Sequence, residues 1–339
     1  MSKVSIVITT YKRPDTLRRA IISAITQSYS NIEVIVVNDN GVQSPQNLTT
    51  RALVTELGKN FPNLKYIEHD ENKNGAAARN TGIHVATGEY ITFLDDDDIF
   101  SRNRIELLVN AFQRDVNTHL LYSAVGFAEG NKITRLLYPV DYEDHVYQLL
   151  MQKSFFGTGS NFLCKTDLVR DIGGFNESFK RHQDMEFLIR YLSKYPNVRY
   201  VQEVLVIKTV ASTNNAPDFP SFLQIKKSFL GEFKELIQHY SPEEQNKIRK
   251  SNVREIVSTA GVNKDWRFLR VLRSENDLFG PRKSEVANHL LKWAILQLPG
   301  VLTLLSWRTL YRARLDDRKL GGNMGMRTAV NIVAGIDDF

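Results

Sequence analysis

The sequence predicts an α/β fold with a mostly parallel central sheet flanked by helices, followed by a mainly helical C-terminal region. The first hundred residues alternate between short runs rich in Val and Ile and longer segments with apolar residues at helical spacing. Strands separated by helices of this length are joined by right-handed crossovers, which give a parallel sheet with both faces covered. The predicted strands of this sheet are 4–9, 33–38, 64–68 and 90–94, and the helices between them are 18–28, 48–57 and 76–86.

The chain from 102 to 210 predicts a mixture of further elements. We expect a helix over 102–112, a hairpin of 120–128 and 132–138 around Gly130, a strand at 160–164, a helix over 184–195 and a final strand at 201–210. The stretch 212–220 is rich in Asn, Ala and Pro, which is typical of a linker. It therefore divides the chain into predicted domains 1–211 and 212–339.

Composition places the chain among globular proteins, because 42% of its 339 residues are hydrophobic and 24% are charged. Its single cysteine, Cys164, excludes an internal disulfide and a cysteine-rich zinc site, so we expect a reducing, cytoplasmic setting. The apolar stretch that follows Met1 is too short for the core of a signal peptide and is interpreted as the first strand.

Polar side chains follow each predicted parallel strand. Thr9 and Tyr11 end the first strand, Asp39 follows the second, and four aspartates, 95–98, follow the fourth. Ligands of parallel α/β sheets bind outside the carboxyl ends of the strands. Asp95 and Asp97 can converge on a hard cation such as Mg²⁺ or Mn²⁺, which is commonly shared with substrate phosphates. A solvated acidic loop is the alternative interpretation.

Other residues near these strand ends suit a nucleotide. Asp39 can accept a hydrogen bond from a uracil N–H, and Tyr11 offers a ring for stacking; capping of a helix or turn is the alternative role of Asp39. Arg13 and Arg79 can bind phosphate oxygens, or they can simply be solvated. Arg79 follows Gly75 at the start of a predicted helix, where backbone amides favour anions.

Seven motifs in a fixed order give the chain a family resemblance over residues 3 to 210. They are 4–13 with Pro14, Val-Val-Asn-Asp at 36–39, Asn-Gly-Ala-Ala-Ala-Arg-Asn at 74–80, Gly-Glu-Tyr at 88–90, the aspartates 95–98, Gly-Gly-Phe at 173–175 and Gln-Asp at 183–184. This set resembles family 2 glycosyltransferases of the Rossmann-like GT-A fold. The resemblance implies inverting transfer of a sugar from a nucleotide diphosphate sugar, usually a uridine one, with Mn²⁺ or Mg²⁺.

The resemblance also implies roles for individual residues. Asp97 is expected to bind the metal directly, and Asp95 to contact the ribose or a metal-bound water; Asp96 and Asp98 can face water or cap the next helix. Asp184 is the expected catalytic base, with a helix cap as the alternative. The predicted donor-binding residues are Thr9, Tyr11, Arg13, Asp39, Asn74, Gly75, Arg79, Asp95 and Asp96.

The chain departs from the family pattern at two positions. Gln183 stands where the family has Glu, which removes a charge that would raise the pKa of the base. No histidine follows the strand at 201–210, so metal coordination would rely on aspartate, diphosphate and water, or Lys208 would supply a fixed positive charge. The loop 157–161 is a candidate acceptor or sugar-binding loop. The sequence around Trp266 lacks the motif of processive members, so we expect one sugar to be added per acceptor.

Basic residues are concentrated near the C-terminus, where residues 247–339 hold 17 Lys and Arg against 9 Asp and Glu. Between Trp293 and Trp307 lies an uncharged segment that Pro299 interrupts, too short to span a bilayer. The tryptophans at both ends of this segment and the arginines that follow it suit contact with the surface of an anionic membrane. We therefore expect residues 285–320 to form a peripheral membrane contact. A pair of core helices or a homo-oligomer contact fits equally well. The membrane interpretation implies a lipid-linked acceptor in surface polysaccharide synthesis (O-antigen, capsule or lipooligosaccharide).

Two other functions fit parts of the sequence. One is a catalytically inactive nucleotide-binding module, against which Asp184 argues. The other is a sugar nucleotidylyltransferase, which needs a glycine-rich loop after the first strand that 9–14 lacks. Nucleic-acid binding is not expected, because the aromatic residues of the tail lie in apolar rather than basic runs.

Overall fold

Four parallel strands form the first half of the central sheet in the computed structural model, which describes residues 1–210 and 217–262. They are β1 (Val4–Thr10), β2 (Ile32–Asn38), β3 (Leu64–Glu68) and β4 (Tyr90–Asp95), joined by α1 (Pro14–Ile25), α2 (Pro45–Gly58) and α3 (Gly75–Val85). β1 pairs in parallel with β2 and with β4, and β2 with β3. All seven residues of β2 are buried, because helices cover both faces. The predicted parallel sheet is confirmed.

The second half of the sheet is mixed. Its elements are β5 (Ile99–Phe100), α4 (Arg104–Arg114), β6 (Leu120–Glu129), β7 (Lys132–Leu137), α5 (His145–Leu150), a 3₁₀ turn (Gly159–Asn161), β8 (Phe162–Lys165), α6 (Thr166–Asp171), α7 (Gln183–Lys194) and β9 (Val198–Thr209). The strand order is β3-β2-β1-β4-β8-β6-β9-β5, with β7 paired to β6 as the predicted hairpin. β8 lies antiparallel between β4 and β6, whereas β9 runs parallel to β6.

Several element boundaries differ from the prediction for local reasons. α1 begins at Pro14 rather than at residue 18, since proline is favoured in the first turn of a helix. The strand β5 was not predicted, because two residues are too few to show a periodic pattern; its pairing with β9 defines it. The linker prediction is wrong at Phe219, which begins a helix behind the N-cap Asp218; residues 211–216 lie outside the described residues.

The described residues form two compact units, one of 1–146 and 154–210 and the other of 147–153 and 217–262. The second unit holds α8 (Phe219–Glu232), α9 (Lys234–Gln238) and α10 (Pro242–Val262). Its buried Lys226 contacts Glu255 and donates to Gln152 Oε1 at 2.5 Å. Within 1–210 and 217–262, no helix is long and apolar enough to cross a membrane. The predicted membrane segment, 285–320, lies outside the described residues.

Helix α3 packs very closely on β1, and this contact fixes where its first turn lies. A Cβ atom placed on Gly82 would be 2.2 Å from Val7 Cγ1, and Val7 is fully buried in the core. Only glycine therefore allows this approach. The first turn of α3, with Asn74 as its N-cap and Arg79 one turn later, is held at the carboxyl end of the sheet.

Gly82→Ala should destabilise the protein by about 1–3 kcal/mol, because the added methyl group overpacks the core against Val7. Urea unfolding would measure the change. Gly58→Ala is the control, since no atom lies within 4 Å of a Cβ placed on Gly58. A Gly82→Ala protein as stable as Gly58→Ala would contradict the close packing. In the Val7→Ala/Gly82→Ala double variant, the smaller side chain at residue 7 should restore part of the stability that Gly82→Ala loses.

Candidate functional site

A cavity of about 530 Å³ lies at the carboxyl ends of β1, β2 and β4. All nine residues predicted to bind the donor line it, together with Thr10, Lys12, Asn72, Ala78 and Gln183. The predicted metal ligand Asp97 and the predicted base Asp184 are not among its lining residues. The structure thus brings residues from five of the seven motifs to one cavity.

Three carboxylates converge beside this cavity, where β4 ends. One oxygen each of Asp95, Asp97 and Asp98 lies within 4.8 Å of the other two. The sequence predicted Asp95 and Asp97 for a metal, and the structure adds Asp98. Carboxylate oxygens at this spacing are the hard ligands that Mg²⁺ and Mn²⁺ prefer. These three carboxylates therefore fit a divalent cation as ligands.

Asp98 is buried, so the expectation that it faces water or caps the next helix is wrong. Its Oδ2 accepts from Thr158 Oγ1 and from Ser160 Oγ, both at 2.7 Å. Burial raises the pKa of Asp98 to about 7, with Lys208 opposing the shift. The Ser160 hydroxyl also accepts from the Asp95 N–H at 3.0 Å, so the loop 157–161 is bound to the acidic strand end.

Asp96 is buried as well, and it joins the end of β4 to the loop after β1. Its Oδ2 accepts from Thr10 Oγ1 at 2.8 Å and from the Tyr11 N–H at 3.2 Å. Arg13 Nη1 donates to Asp96 Oδ1 at 3.3 Å and also contacts Asp97. Burial raises the pKa of Asp96 to about 6. Asp96 therefore positions Tyr11 and Arg13, two of the residues predicted to bind the sugar donor.

Arg79 connects three elements of the site. Its Nη2 donates to Asp95 Oδ1 at 2.6 Å, and its Nη1 donates to Gln183 Oε1 at 3.0 Å. The guanidinium thus links α3, the end of β4 and the first turn of α7. Because Gln183 is neutral, Asp95 is the charged partner that faces Arg79 in this pair of contacts.

The Gly-Gly-Phe motif holds α7 in this position. Asn80 Oδ1 accepts from the Phe175 N–H at 2.8 Å, and a Cβ on Gly174 would lie 2.5 Å from the same oxygen. Gly174 has φ of 69°, which glycine adopts readily. Arg190 of α7 donates to the Ile172 and Gly174 carbonyls, both at 2.8 Å. The turn therefore fixes α7 to α3.

Asp184 lies in the first turn of α7, as predicted, although the N-cap position belongs to His182. Its Oδ1 accepts from the Met185 N–H at 2.9 Å. A Cβ on Gly159 would lie 3.5 Å from Asp184 Cβ, so the carboxylate borders the loop 157–161. Burial raises the pKa of Asp184 and Asp95 adds to the shift, while Arg79 and Lys208 oppose it.

Four hydrogen-bond donors contact the Asp39 carboxylate. Its Oδ1 lies 2.7 Å from His69 Nδ1 and accepts from the Lys73 N–H at 2.8 Å; its Oδ2 accepts from Asn72 Nδ2 at 2.8 Å and from the Asn74 N–H at 3.0 Å. A carboxylate has about four acceptor positions, so a uracil N–H would have to share an oxygen with one of these donors. Asp39 organises the loop that leads into α3.

The start of α3 is less open to anions than the sequence suggested. Asn74 Oδ1 accepts from the Ala76 N–H at 2.9 Å and from the Ala77 N–H at 3.2 Å. The side chain thus caps two of the amides that were expected to favour phosphate. Tyr11, which lines the cavity, is 40% exposed, and the Lys12 ammonium lies 4.8 Å from the centre of its ring.

Sequence reasoning missed the side chains that support the predicted ones. Thr158 and Ser160 carried the one available signal, two hydroxyls beside glycines in a loop already singled out. The contacts of His69 and Asn72 with Asp39 were not predicted, because they depend on the pairing of β2 with β3.

Asp39→Asn should lower the free energy of unfolding by about 1–3 kcal/mol, because an amide nitrogen would face donors that now have an acceptor. Urea unfolding would measure this, and faster hydrogen exchange is expected at the Lys73 and Asn74 amides. Asp70→Asn on the exposed neighbouring loop is the control. Equal stability of the two variants would show that Asp39 does not organise the loop.

The chain matches known glycosyltransferases in sequence. The family described as Glycosyl transferase family 2 matches residues 5–173, and Glycosyl transferase family group 2 matches residues 90–313. An uncharacterized glycosyltransferase of Methanocaldococcus jannaschii is 25% identical over 214 residues, 62% of this chain and 72% of its own length. The Escherichia coli glycosyl transferase WcaA, whose name links it to colanic acid biosynthesis, is 38% identical over 120 residues, 35% of this chain and 41% of its own length.

Solved structures share the fold. TarS 1–349 of S. aureus in complex with UDP-GlcNAc has a TM-score of 0.57 at 17% identity, covering 99% of this chain and 92% of that one. The mannosyltransferase PcManGT from Pyrobaculum calidifontis, in complex with GDP-Man and Mn²⁺, has a TM-score of 0.54 at 15% identity, covering 94% and 88%. With a family match that spans more than half of its length, the chain belongs to the family 2 glycosyltransferases and is an enzyme of the GT-A fold.

Proposed function

We propose that this glycosyltransferase transfers a sugar, with inversion, from a nucleotide diphosphate sugar to a hydroxyl group of a saccharide acceptor, one sugar at a time. A uridine nucleotide is the proposed donor. The observation that carries the proposal is the convergence of Asp95, Asp97 and Asp98 beside a cavity whose walls hold Arg13 and Arg79. Carboxylates for a cation and guanidinium groups for phosphate are the two components that diphosphate binding requires.

Different residues of the cavity suit the parts of such a donor. Tyr11 and the Asp39 loop, at the ends of β1 and β2, suit the base, and the two arginines, each paired with a carboxylate at the end of β4, suit the diphosphate. Each guanidinium has five N–H donors, of which only some are used by the carboxylates. The two fold relatives described above bind UDP-GlcNAc and GDP-Man, which supports a donor of this class.

Asp95, Asp97 and Asp98 are the residues that would hold a divalent ion, Mn²⁺ or Mg²⁺. Repulsion from Asp95 adds to burial in raising the pKa of Asp97, while Arg13 and Lys208 oppose the shift. A bound cation would relieve this repulsion between neighbouring carboxylates. When bound, the ion supplies a Lewis acid that neutralises charge on the departing nucleoside diphosphate.

Asp184 is the proposed base of a single displacement. The acceptor oxygen forms a bond to the anomeric carbon as the bond from that carbon to the phosphate oxygen breaks, and the hydroxyl proton passes to the Asp184 carboxylate. Burial raises the pKa of this carboxylate, which makes it a stronger base than an exposed aspartate. The neighbouring loop 157–161 would border the acceptor hydroxyl and the sugar.

Asp184→Asn should keep donor affinity and lose transfer by about 100- to 10,000-fold, the usual contribution of a general base. Asp97→Ala should instead weaken donor and Mn²⁺ binding together. A screen of UDP- and GDP-sugars for metal-dependent nucleotide release would identify the donor, and calorimetry would measure its affinity for each variant.

Asp167→Asn, at an exposed position of α6, is the matched control and should behave like the parent. Full transfer by the Asp184→Asn enzyme would remove this residue from the role of base. Metal-dependent binding that survives Asp97→Ala unchanged would remove Asp97 from the metal site.

The proposed acceptor is lipid-linked, and the enzyme would meet it at the inner face of the cytoplasmic membrane. Support comes from the basic C-terminal sequence with its paired tryptophans, Trp293 and Trp307, and from the E. coli relative named for colanic acid biosynthesis. Both features suit surface polysaccharide assembly, in which the growing saccharide is carried on a lipid.

Replacing Arg312 and Arg314 together by Glu should weaken binding to anionic phospholipid vesicles at least about 30-fold, because each basic residue lost near such a surface removes about 1 kcal/mol and the new carboxylates are repelled. Vesicle flotation would measure it. The control reverses two exposed charges elsewhere, Lys59→Glu with Lys132→Glu, and should float like the parent. Equal flotation of all three proteins would contradict a membrane contact through the tail.

A further inference from the structure

Lys208 brings an ammonium group to the acidic end of β4. It lies near the end of β9, and its Nζ is 3.4 Å from Thr158 Oγ1. That hydroxyl donates to Asp98 Oδ2 at 2.7 Å, and the N–H of the next residue, Thr209, donates to Asp98 Oδ1 at 3.3 Å. The ammonium is therefore one hydroxyl group away from a carboxylate of the candidate metal site.

The position of Lys208 is fixed by strand pairing rather than by a loop. Ile207 pairs with Ile99 of β5, directly after the aspartates, and Lys208 itself pairs with Phe127 of β6. Ile207 is fully buried. The backbone that carries Lys208 is thus held from both sides, so its side chain starts from a rigid base beside the acidic cluster.

The charges around Lys208 favour its ammonium form. Burial lowers the pKa of Lys208, but Asp98, Asp95, Asp97 and Asp184 outweigh it and raise the pKa above the usual value. Arg13 already contacts Asp97, and Arg79 is bound to Asp95. Lys208 therefore adds a further positive charge to those of Arg13 and Arg79, and it lies on the side of Asp98.

We propose that Lys208 is a donor-binding residue whose ammonium contacts the pyrophosphate and neutralises part of its charge independently of a divalent ion. This rests on the proposed function, because it assumes a nucleotide diphosphate in the cavity. The four-carbon stem is flexible, and a bond to Thr158 leaves further N–H donors for phosphate oxygens.

The same charge has a second consequence. A cation held by Asp95, Asp97 and Asp98 is repelled by the ammonium until the diphosphate supplies negative charge between them. Free enzyme should therefore bind Mn²⁺ weakly, and nucleotide and ion should strengthen each other's binding. Because this coupling is an equilibrium property, it must appear in both directions.

Calorimetry with the full-length protein tests the contact directly, with UDP and UMP as probes in EDTA. The parent should bind UDP more tightly than UMP, which lacks the second phosphate. Lys208→Met should lose at least tenfold in UDP affinity while its UMP affinity stays unchanged, and Lys208→Arg should retain most of the preference. Lys132→Met, at an exposed position of β7, is the matched control.

Free Mn²⁺ measured by electron paramagnetic resonance tests the repulsion without any nucleotide. Lys208→Met should bind Mn²⁺ at least tenfold more tightly than the parent, an increase that a loss of folding cannot produce. Lys208→Gln provides a second neutral variant.

Two outcomes would overturn the assignment of Lys208 and remain distinguishable. If neither Lys208→Met nor Lys208→Gln changes UDP binding in EDTA or Mn²⁺ binding, the assignment of Lys208 alone is overturned. Failure of the parent to bind UDP or GDP even with Mn²⁺ would overturn the nucleotide donor, and with it the role of Lys208.

Discussion

The burial of neighbouring carboxylates at the end of β4 is the constraint on which the site depends. An unpaired buried charge costs several kcal/mol, so each carboxylate needs donors, and each obtains them from a different part of the chain. Asp95 pairs with Arg79 of α3, Asp96 is bound by Thr10 at the end of β1, and Asp98 by the loop 157–161. These contacts gather three segments around one strand end, and the cavity is the space they leave.

Helix α3 connects the donor side of this site to the proposed base. Gly82 lets it lie against β1, Arg79 reaches Asp95 and Gln183, and Asn80 binds the turn that precedes α7. The predicted donor-binding residues of α3 and the first turn of α7, which carries Asp184, are consequently held together by these contacts. A transferase needs this arrangement, because an acceptor hydroxyl must be aligned with the bond that breaks.

The two departures from the family pattern change the charge of the site in the same direction. Gln183 stands where the family pattern has an acidic residue, and Lys208 lies near the end of β9, after which the histidine of the family pattern is missing. The first removes a negative charge beside Arg79, and the second adds a positive charge beside Asp98. Both changes favour an anionic ligand, since the field in a cleft reflects the sum of its charges.

Local patterns in the sequence were sufficient to predict the four parallel strands, the β6–β7 hairpin and the predicted donor-binding residues, all of which line the cavity. Periodicity and strand-end motifs involve residues that are close together in the chain. They could not assign partners to the aspartates. Thr10 lies 86 residues from Asp96, and Ser160 lies 62 residues from Asp98, so only the pairing of β4 with β1 on one side and with β8 on the other decides these contacts. The sequence determined which acidic residues the site contains, and the tertiary structure decided which of them are buried, since burial depends on distant donors.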